Sequence, residues 1–265
     1  MIGLLAAFLA TFIKPTTKDF VWSCWGPQVH VAGLPFCMNF IFFLLLIVMV
    51  LFIGSFFLAF RKPKVVPGKF QALMEMGLEF VREQIVLQMI GPEGLPFFGL
   101  IATFFFMILF ANILEVVPGI NFSPNSRIAF PLVLAIVSWV TYNVVGIRRH
   151  GFFGYMKLVL FPPGAPKALY ILLTPIEFIS TILVRPVTLS VRLFANLVAG
   201  HFLLAVFFLG TIALLQSGVL AIFGVFSGVF SVVMVGFEIF VSLLQAFIFS
   251  VLSASYIAGA MASEH

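Results

Sequence analysis

The sequence predicts an all-α polytopic membrane protein with about five membrane-embedded helices and one amphipathic surface helix. Two observations carry this prediction. Hydrophobic residues make up 63% of the 265 residues and charged residues only 9%, and the mean hydropathy is +1.23. Because the apolar character continues along the whole chain, we expect a single membrane domain over residues 1–265 with no soluble module attached.

Residues 1–35 are predicted to form a segment on the outer side of the membrane. The opening apolar run, Ile2 to Ile13, is too short to span a bilayer and lacks the basic region of a signal peptide, so we expect it at the interface. Cys24 and Cys37 lie outside any spacing typical of metal or redox sites. No metal or cofactor is therefore predicted.

Three apolar runs without charged residues are each long enough to cross a hydrocarbon core of about 30 Å. They cover 36–60, 96–114 and 128–147. Residues 67–90 differ, because charged residues such as Glu75 and Glu79 alternate with apolar ones at helical spacing. This pattern predicts an amphipathic helix on the membrane surface, with a solvated connecting helix as the alternative.

The C-terminal part of the chain contains two longer apolar runs, 168–214 and 218–260. A single helix of about 43 residues reaches roughly 65 Å, about twice the apolar thickness of a bilayer, so such helices must be strongly tilted, curved or broken. Pro175 and Pro186 are candidate kinks in the first run. Upright spans with re-entrant ends are the alternative.

Basic residues predict the orientation of the helices. Two clusters follow the first and third spans: Arg61, Lys62, Lys64 and Lys69, then Arg148, Arg149, Lys157 and Lys167. Both loops are expected in the cytoplasm, which leaves the N-terminus outside and, after five crossings, the C-terminal Ser263–His265 inside. The net charge of +5 therefore reflects topology and not binding to nucleic acid.

Arg192 stands in one of the most apolar stretches, Pro186–His201. A guanidinium group keeps its proton at physiological pH, so this residue cannot avoid desolvation by losing its charge. Holding it at a helix centre costs about 2.5 to 3.5 kcal/mol, which indicates a partner or a function. A buried structural ion pair is the alternative.

Other polar side chains share the faces of these helices. In a helical projection Asn196 lies about 40° from Arg192 and His201 about 180° from it, so one helix has two working faces. The last helix carries a polar stripe that could line a wet path, formed by Glu238, Ser242, Gln245 and Tyr256.

Three further polar candidates precede Arg192 in the chain: Asn112, Glu115 and Glu177. Several of the polar residues have structural alternatives. Asn112 and Gln245 could simply join helices by hydrogen bonds, Glu115 could lie among headgroups, and Tyr256 could anchor at the interface.

Three segments resemble motifs of a known family, the a subunit of the Fo sector of rotary F-type ATP synthases. They are Arg192–His201, Leu243–Leu252 and Phe110–Pro118. Together with the length and the Glu-His ending, the resemblance covers essentially the whole chain. One departure concerns His201 and Glu238: the family often carries the acidic group on the arginine helix and the imidazole on the last helix, and here they are exchanged. The order of proton transfer between them therefore stays open.

The resemblance implies a non-catalytic stator subunit that feeds ions through two offset half-channels to the carboxylates of a rotating c-ring. Arg192 carries over as the essential cation that drives deprotonation and prevents leak, and the two long helices would form a hairpin against the ring. The polar groups of the proton path would be Asn196, His201, Glu238 and Gln245, with Glu177, Asn112, Glu115, Ser242 and Tyr256 as secondary candidates.

Further expectations follow from the resemblance. The partners would be the c-ring, b-type peripheral stalk subunits, the remainder of the synthase and membrane lipid. His201 favours H⁺ over Na⁺ as the ion carried. Because no transit peptide is visible, a bacterial plasma membrane is favoured over an organelle membrane. No ATP site is expected, and no GxxxxGK[ST] loop is present.

The alternative function is a secondary transporter in which Arg192 binds an anionic substrate. Such a protein usually contains internal repeats and paired broken helices, and no duplication is visible in this sequence. An intramembrane enzyme is disfavoured, since HExxH and a Ser-His-Asp ordering are missing. A passive scaffold would not require Arg192 or Glu238.

Overall fold

The structure, a computed structural model, describes residues 29–31, 34–36, 39–117, 119–120, 122–161, 170–216 and 220–262. The predictions for Ile2–Ile13, for Cys24 and Cys37, and for Ser263–His265 lie outside the described residues. The elements in chain order are β1 (Val29–Val31), β2 (Leu34–Phe36), α1 (Phe40–Phe60), α2 (Lys69–Phe80), α3 (Phe98–Val116), α4 (Ala129–Leu160), α5 (Tyr170–Ile179), α6 (Arg185–Gln216) and α7 (Ala221–Met261).

Five helices among the described residues are long and apolar enough to cross a membrane, which confirms the all-α polytopic class. A small element was not predicted: β1 and β2 pair as an antiparallel hairpin within the chain just before the first span. That span consequently begins at Phe40 and not at residue 36. The side chain of Asn39 accepts a hydrogen bond of 3.1 Å from the Phe42 N–H and so caps the helix.

The helix of the third span extends beyond residue 147, its predicted end. Helical residues continue through the basic cluster to Leu160, with a break at Gly151, because Lys and Arg are good helix formers and charge alone does not end a helix. The chain turns at Gly151, whose φ of 72° is a conformation that favours glycine. Beyond this turn Tyr155 packs against Gly146 so closely that a Cβ atom there would overlap its ring.

The predicted amphipathic helix is present as α2 followed by a π-helical segment, Val81–Leu87. Its two halves have different surroundings. Leu73 and Met76 of α2 are largely exposed, whereas Val81 and Ile85 are completely buried in the protein core. The helix is therefore anchored in the bundle at one end and presents apolar side chains outward at the other. A 3₁₀ segment, Pro92–Phe97, then leads into α3.

The two C-terminal runs form long helices. This favours the interpretation of two tilted or curved helices over that of upright spans with re-entrant ends. Leu172–Gln216 contains 45 residues and Ala221–Met261 contains 41. At 1.5 Å per residue each exceeds about 60 Å, roughly twice the apolar thickness of a bilayer. The first of them is not regular, because a π-helical segment, Ser180–Val184, separates α5 from α6.

The π-helical segment ties the long helix to α4. There the Arg185 N–H bonds to the Ser180 carbonyl, and Pro186 has no N–H, so no helical donor is left for the Thr181 carbonyl. That carbonyl instead accepts hydrogen bonds from Trp139 Nε1 at 3.2 Å and from the Tyr142 hydroxyl at 2.9 Å. Pro186 thus leaves the Thr181 carbonyl without a helical donor, and two side chains of α4 donate to it instead.

Helices α6 and α7 pack along each other as an antiparallel hairpin. The Ser227 hydroxyl donates to the Phe207 carbonyl at 3.0 Å. Small residues allow this approach, as in other membrane helix pairs. A Cβ atom at Gly224 would lie only 3.0 Å from the backbone nitrogen of Leu215.

Gly224→Ala is therefore expected to lower the free energy of unfolding by about 1 to 3 kcal/mol, because the added methyl group forces the hairpin apart. Thermal unfolding of the purified chain in detergent measures this. Gly236→Ala is the matched control on the same helix, since nothing lies within 4 Å of its Cβ position. Alanine at this position should leave the free energy of unfolding unchanged or raise it slightly. Equal loss of stability in both variants would contradict the packing argument.

Candidate functional site

Polar side chains from three helices meet around a cavity of about 270 Å³, here called the Glu238 cavity. Its polar lining and the glycine facing it come from α3, α6 and α7: Asn112, Glu115, Asn196, Gly200, Glu238 and Ser242. Apolar side chains form the rest of the lining, and a cavity of this size with several polar groups has room for water molecules. Residues predicted separately from the sequence are thus brought together in one place.

Glu238 is buried, and neither of its carboxylate oxygens has a hydrogen-bond partner among the described residues. Gly200 of α6 provides the space for this carboxyl group. A Cβ atom at Gly200 would lie 2.5 Å from Glu238 Oε1. An acidic group left without a partner in an apolar interior is costly, and such groups usually serve a function.

Glu115 and His201 lie close to each other next to the cavity. His201 Nδ1 lies 3.7 Å from Glu115 Oε1, and the Glu115 side chain is only 6% exposed. Its burial argues against a position among lipid headgroups. The imidazole also meets the edge of the Phe122 ring. Because Glu115 lines the Glu238 cavity and His201 does not, this contact links the cavity to the opposite face of α6.

Asn112 holds helices together as well as lining the cavity. Its side-chain oxygen accepts a hydrogen bond of 2.6 Å from Asn125 Nδ2, and its own Nδ2 donates to the Ser242 carbonyl at 3.4 Å. The hydrogen-bonding role considered for Asn112 is therefore present. Asn125, which is fully buried, was not predicted, because it lies in a loop sequence that has no periodicity to indicate burial.

A second cavity, also of about 270 Å³, lies where α6 begins and α7 ends and is here called the Glu177 cavity. Its polar lining consists of Tyr155, Glu177, Thr181, Arg185 and Tyr256. The Arg185 guanidinium lies 5.1 Å from the centre of the Tyr256 ring, in a cation–π contact. Tyr256 therefore contacts a protein cation. Tyr155 and Arg185 were not among the predicted site residues.

Among the described residues, the polar stripe of the last helix is divided between the two cavities. Glu238 and Ser242 line the first cavity and Tyr256 lines the second, while Gln245 lines neither. Ala246 and Phe249, which follow Gln245, are buried in the core. A helical projection gives the face of each residue but not what packs against that face.

Arg192 lies on α6 between the parts of the helix that line the two cavities. Along the axis it is about 10 Å from Arg185 and about 6 Å from Asn196. Its side chain is exposed in the isolated chain, as are the small residues Ala195 and Ala199 nearby. Within the described residues Arg192 has no hydrogen bond or ion pair, so the described structure does not support a structural ion pair.

Fold and site together define a polytopic membrane protein with ionisable groups inside its apolar helices, the class that moves ions or protons. A family model described as ATP synthase A chain matches residues 40–258. The chain therefore belongs to the ATP synthase A chain family, as the sequence resemblance predicted.

Curated relatives agree with this assignment. The ATP synthase subunit a of Rhodococcus erythropolis is 41% identical, over 96% of this chain and 92% of the relative. That of Parafrankia sp. is 45% identical over 81% of this chain and 73% of the relative. That of Streptomyces lividans is 40% identical over 96% and 89%.

Asn112→Ala should lower the free energy of unfolding by about 1 to 3 kcal/mol, because it leaves the buried Asn125 amide without its acceptor. Chemical or thermal unfolding of the purified chain in detergent gives the value. Gln88→Ala is the control, since it also removes a side-chain amide hydrogen bond, in this case an exposed one to Gln84. That change should stay within about 0.5 kcal/mol. Similar losses in both variants would argue against the buried network.

Proposed function

We propose that this chain is the stator subunit through which protons reach and leave the c-ring of a bacterial F-type ATP synthase. It carries out no bond chemistry itself. The proposal places it in the plasma membrane against the c-ring, where b-type peripheral stalk subunits hold it to the remainder of the synthase. Support comes from its family membership and from its five apolar helices. Family membership also favours this function over a secondary transporter.

The two cavities are proposed as offset half-channels, the Glu238 cavity opening outside and the Glu177 cavity opening to the cytoplasm. The basic cluster after α1 supports this orientation by the positive-inside rule. If that cluster is cytoplasmic, successive crossings put the C-terminal ends of α4 and α7, and hence Tyr155 and Tyr256, on the same side. Neither cavity crosses the bundle alone, so a proton must use the ring to pass from one to the other.

The observation that carries the proposal is Arg192, which is exposed between the two cavities and has no ion-pair partner among the described residues. A permanent cation in hydrocarbon needs an anion, and a ring carboxylate arriving from lipid would provide one. The guanidinium favours the ionised form of that acid, so the proton leaves into the release half-channel. The same charge repels a proton passing directly between the half-channels.

Glu238, Glu115 and His201 are proposed to relay protons on the outer side. Glu115 approaches His201 and shares the cavity with Glu238. Imidazole titrates near neutral pH, which suits a proton relay and favours H⁺ over Na⁺. Asn196, Asn112 and Ser242 would orient water in the same cavity. Glu177 and Tyr256 would serve the release side, and Gln245 would lie between the two paths.

Arg192→Ala should lower the rate of coupled ATP synthesis by at least about a hundredfold, because the ring acid loses the charge that drives its ionisation. It should also allow a passive proton leak. Proton flux and ATP synthesis in vesicles that contain the assembled complex measure both effects. The control is Arg82→Ala, which removes an exposed arginine from a 4.0 Å contact with Glu83 and should leave coupling intact. Full coupling in the Arg192 variant would refute the role.

Glu238→Gln should slow proton transport about tenfold without loss of assembly, because the amide keeps the shape of the side chain but cannot ionise. Gly200→Ala should also slow transport, since its methyl group displaces the same carboxyl group. Gly99→Ala is the control, with nothing within 4 Å of its Cβ position. The measurement is proton pumping driven by ATP hydrolysis in vesicles. Wild-type rates in both site variants would exclude Glu238 from the path.

A further inference from the structure

A third cavity, with a volume of about 520 Å³, lies at the end of α1. It is lined by none of the residues proposed for the proton path. It is here called the basic cavity. Four cations line it together with apolar side chains: Arg61, Lys62, Lys64, Lys69, Leu58 and Phe70. Its volume falls within the range of roughly 300 to 1,000 Å³ that is typical of small-molecule sites.

None of the four cations has a carboxylate partner within the described part of the chain. The ion pairs found there join Arg82 with Glu83, Arg149 with Glu93, and His201 with Glu115. The basic cluster of α4 is thus partly neutralised through Arg149, whereas the cluster around this cavity is not. Four like charges around one cavity repel each other, so an anion bound there would be stabilised.

The loop that presents these cations is held in a defined conformation by Gln71. This buried side chain accepts from the Lys64 N–H at 3.3 Å and donates to the Lys64 carbonyl at 3.2 Å. It also donates to the Glu75 carboxylate at 2.7 Å. The first acidic residue of α2 is therefore hydrogen-bonded to Gln71. In addition, the Arg61 guanidinium rests 5.6 Å from the centre of the Phe57 ring. The backbone at Lys64 and the side chain of Arg61 are therefore each held by a contact within the chain.

The position of the basic cavity favours a lipid as the source of the anion. Arg61 directly follows the last residue of the apolar helix α1, which places the cluster where a bilayer changes from hydrocarbon to headgroups. Leu58 in the cavity wall is 71% exposed, an apolar surface that a soluble anion would not cover. Basic pockets of this kind at membrane boundaries bind anionic headgroups.

A groove further along α2 offers room for an acyl chain. It has a volume of about 620 Å³ and is lined by apolar residues, including Leu73, Met76 and Gly77 of α2 and Phe247 of α7. Gly77 lies about 10 Å along the helix axis from Phe70 of the basic cavity. That distance is within reach of a phospholipid tail.

We propose that the basic cavity binds the phosphate headgroup of an anionic phospholipid. The site is independent of the proton path and holds α1 and α2 at the membrane boundary through a bound lipid. It differs from general attraction to a charged surface because the four cations line one cavity and Gln71 holds the backbone of their loop at Lys64.

Titration of the assembled synthase in neutral detergent with phosphatidylglycerol tests the proposal, with bound lipid counted by native mass spectrometry. Lys62→Gln combined with Lys64→Gln should weaken binding about fivefold for each cation removed. The backbone bonds to Gln71 remain in this variant. Arg148→Gln combined with Lys157→Gln removes the same charge from the other basic loop and should retain wild-type binding. Equal weakening in both variants would overturn the proposal in favour of general surface attraction.

Further arms distinguish the occupant. Gln71→Leu keeps every cation but frees the loop, and it should also weaken phosphatidylglycerol binding; unchanged binding would argue against a preorganised site. Phosphatidylcholine and inorganic phosphate should not compete, and competition by inorganic phosphate would point to a soluble anion. The Lys62→Gln, Lys64→Gln complex could instead lose a partner subunit while its lipid binding is unchanged. That result would show that the basic cavity binds a protein subunit and would overturn the proposal. Proton pumping by these variants is a separate readout, so failure here leaves the proton path untouched.

Discussion

The free-energy cost of holding charge in hydrocarbon is the constraint on which the rest of this structure depends. Arg192 cannot lose its proton, and no described residue gives it a carboxylate partner. Glu238 is buried with both oxygens unsatisfied. A chain that carries these groups without internal compensation is most stable when its charges are met by a neighbouring subunit and by water. This agrees with a chain that works within the ATP synthase complex, as its family membership indicates.

Separation of the two cavities comes from packing and not from the distribution of polar residues. Polar side chains continue along α7 from Glu238 to Tyr256, yet Ala246 and Phe249 lie buried between them. There Phe249 packs edge-on against Phe104 of α3, with 5.4 Å between the ring centres, and this apolar packing separates the two cavities. Elsewhere along the α6–α7 contact, glycines make a close approach feasible, Gly224 near the turn and Gly200 beside Glu238. Small residues therefore both tighten the hairpin and leave room for a buried acid.

The same electrostatic constraint applies at the membrane boundary, with a different solution on each basic loop. Arg149 is paired with Glu93, while the four cations at the end of α1 and the start of α2 line a cavity and have no carboxylate partner in the described part of the chain. Gln71 fixes their loop through backbone hydrogen bonds. Inside the bilayer an unpaired cation indicates a protein partner, whereas at its edge it indicates lipid, because phosphate groups are abundant there.

The amino-acid sequence by itself determined the membrane class, the number of spans, the family and the singular position of Arg192. These depend on hydrophobicity and motifs within single segments, and such local properties can be read without a fold. Only the tertiary structure decided which polar groups meet. Glu115 with His201, Asn112 with Asn125, and Thr181 with Tyr142 are contacts between separate elements, and no periodicity within one segment encodes the distance to another. The continuation of α4 to Leu160 and the division of the α7 stripe into two cavities likewise required knowledge of what packs against each face.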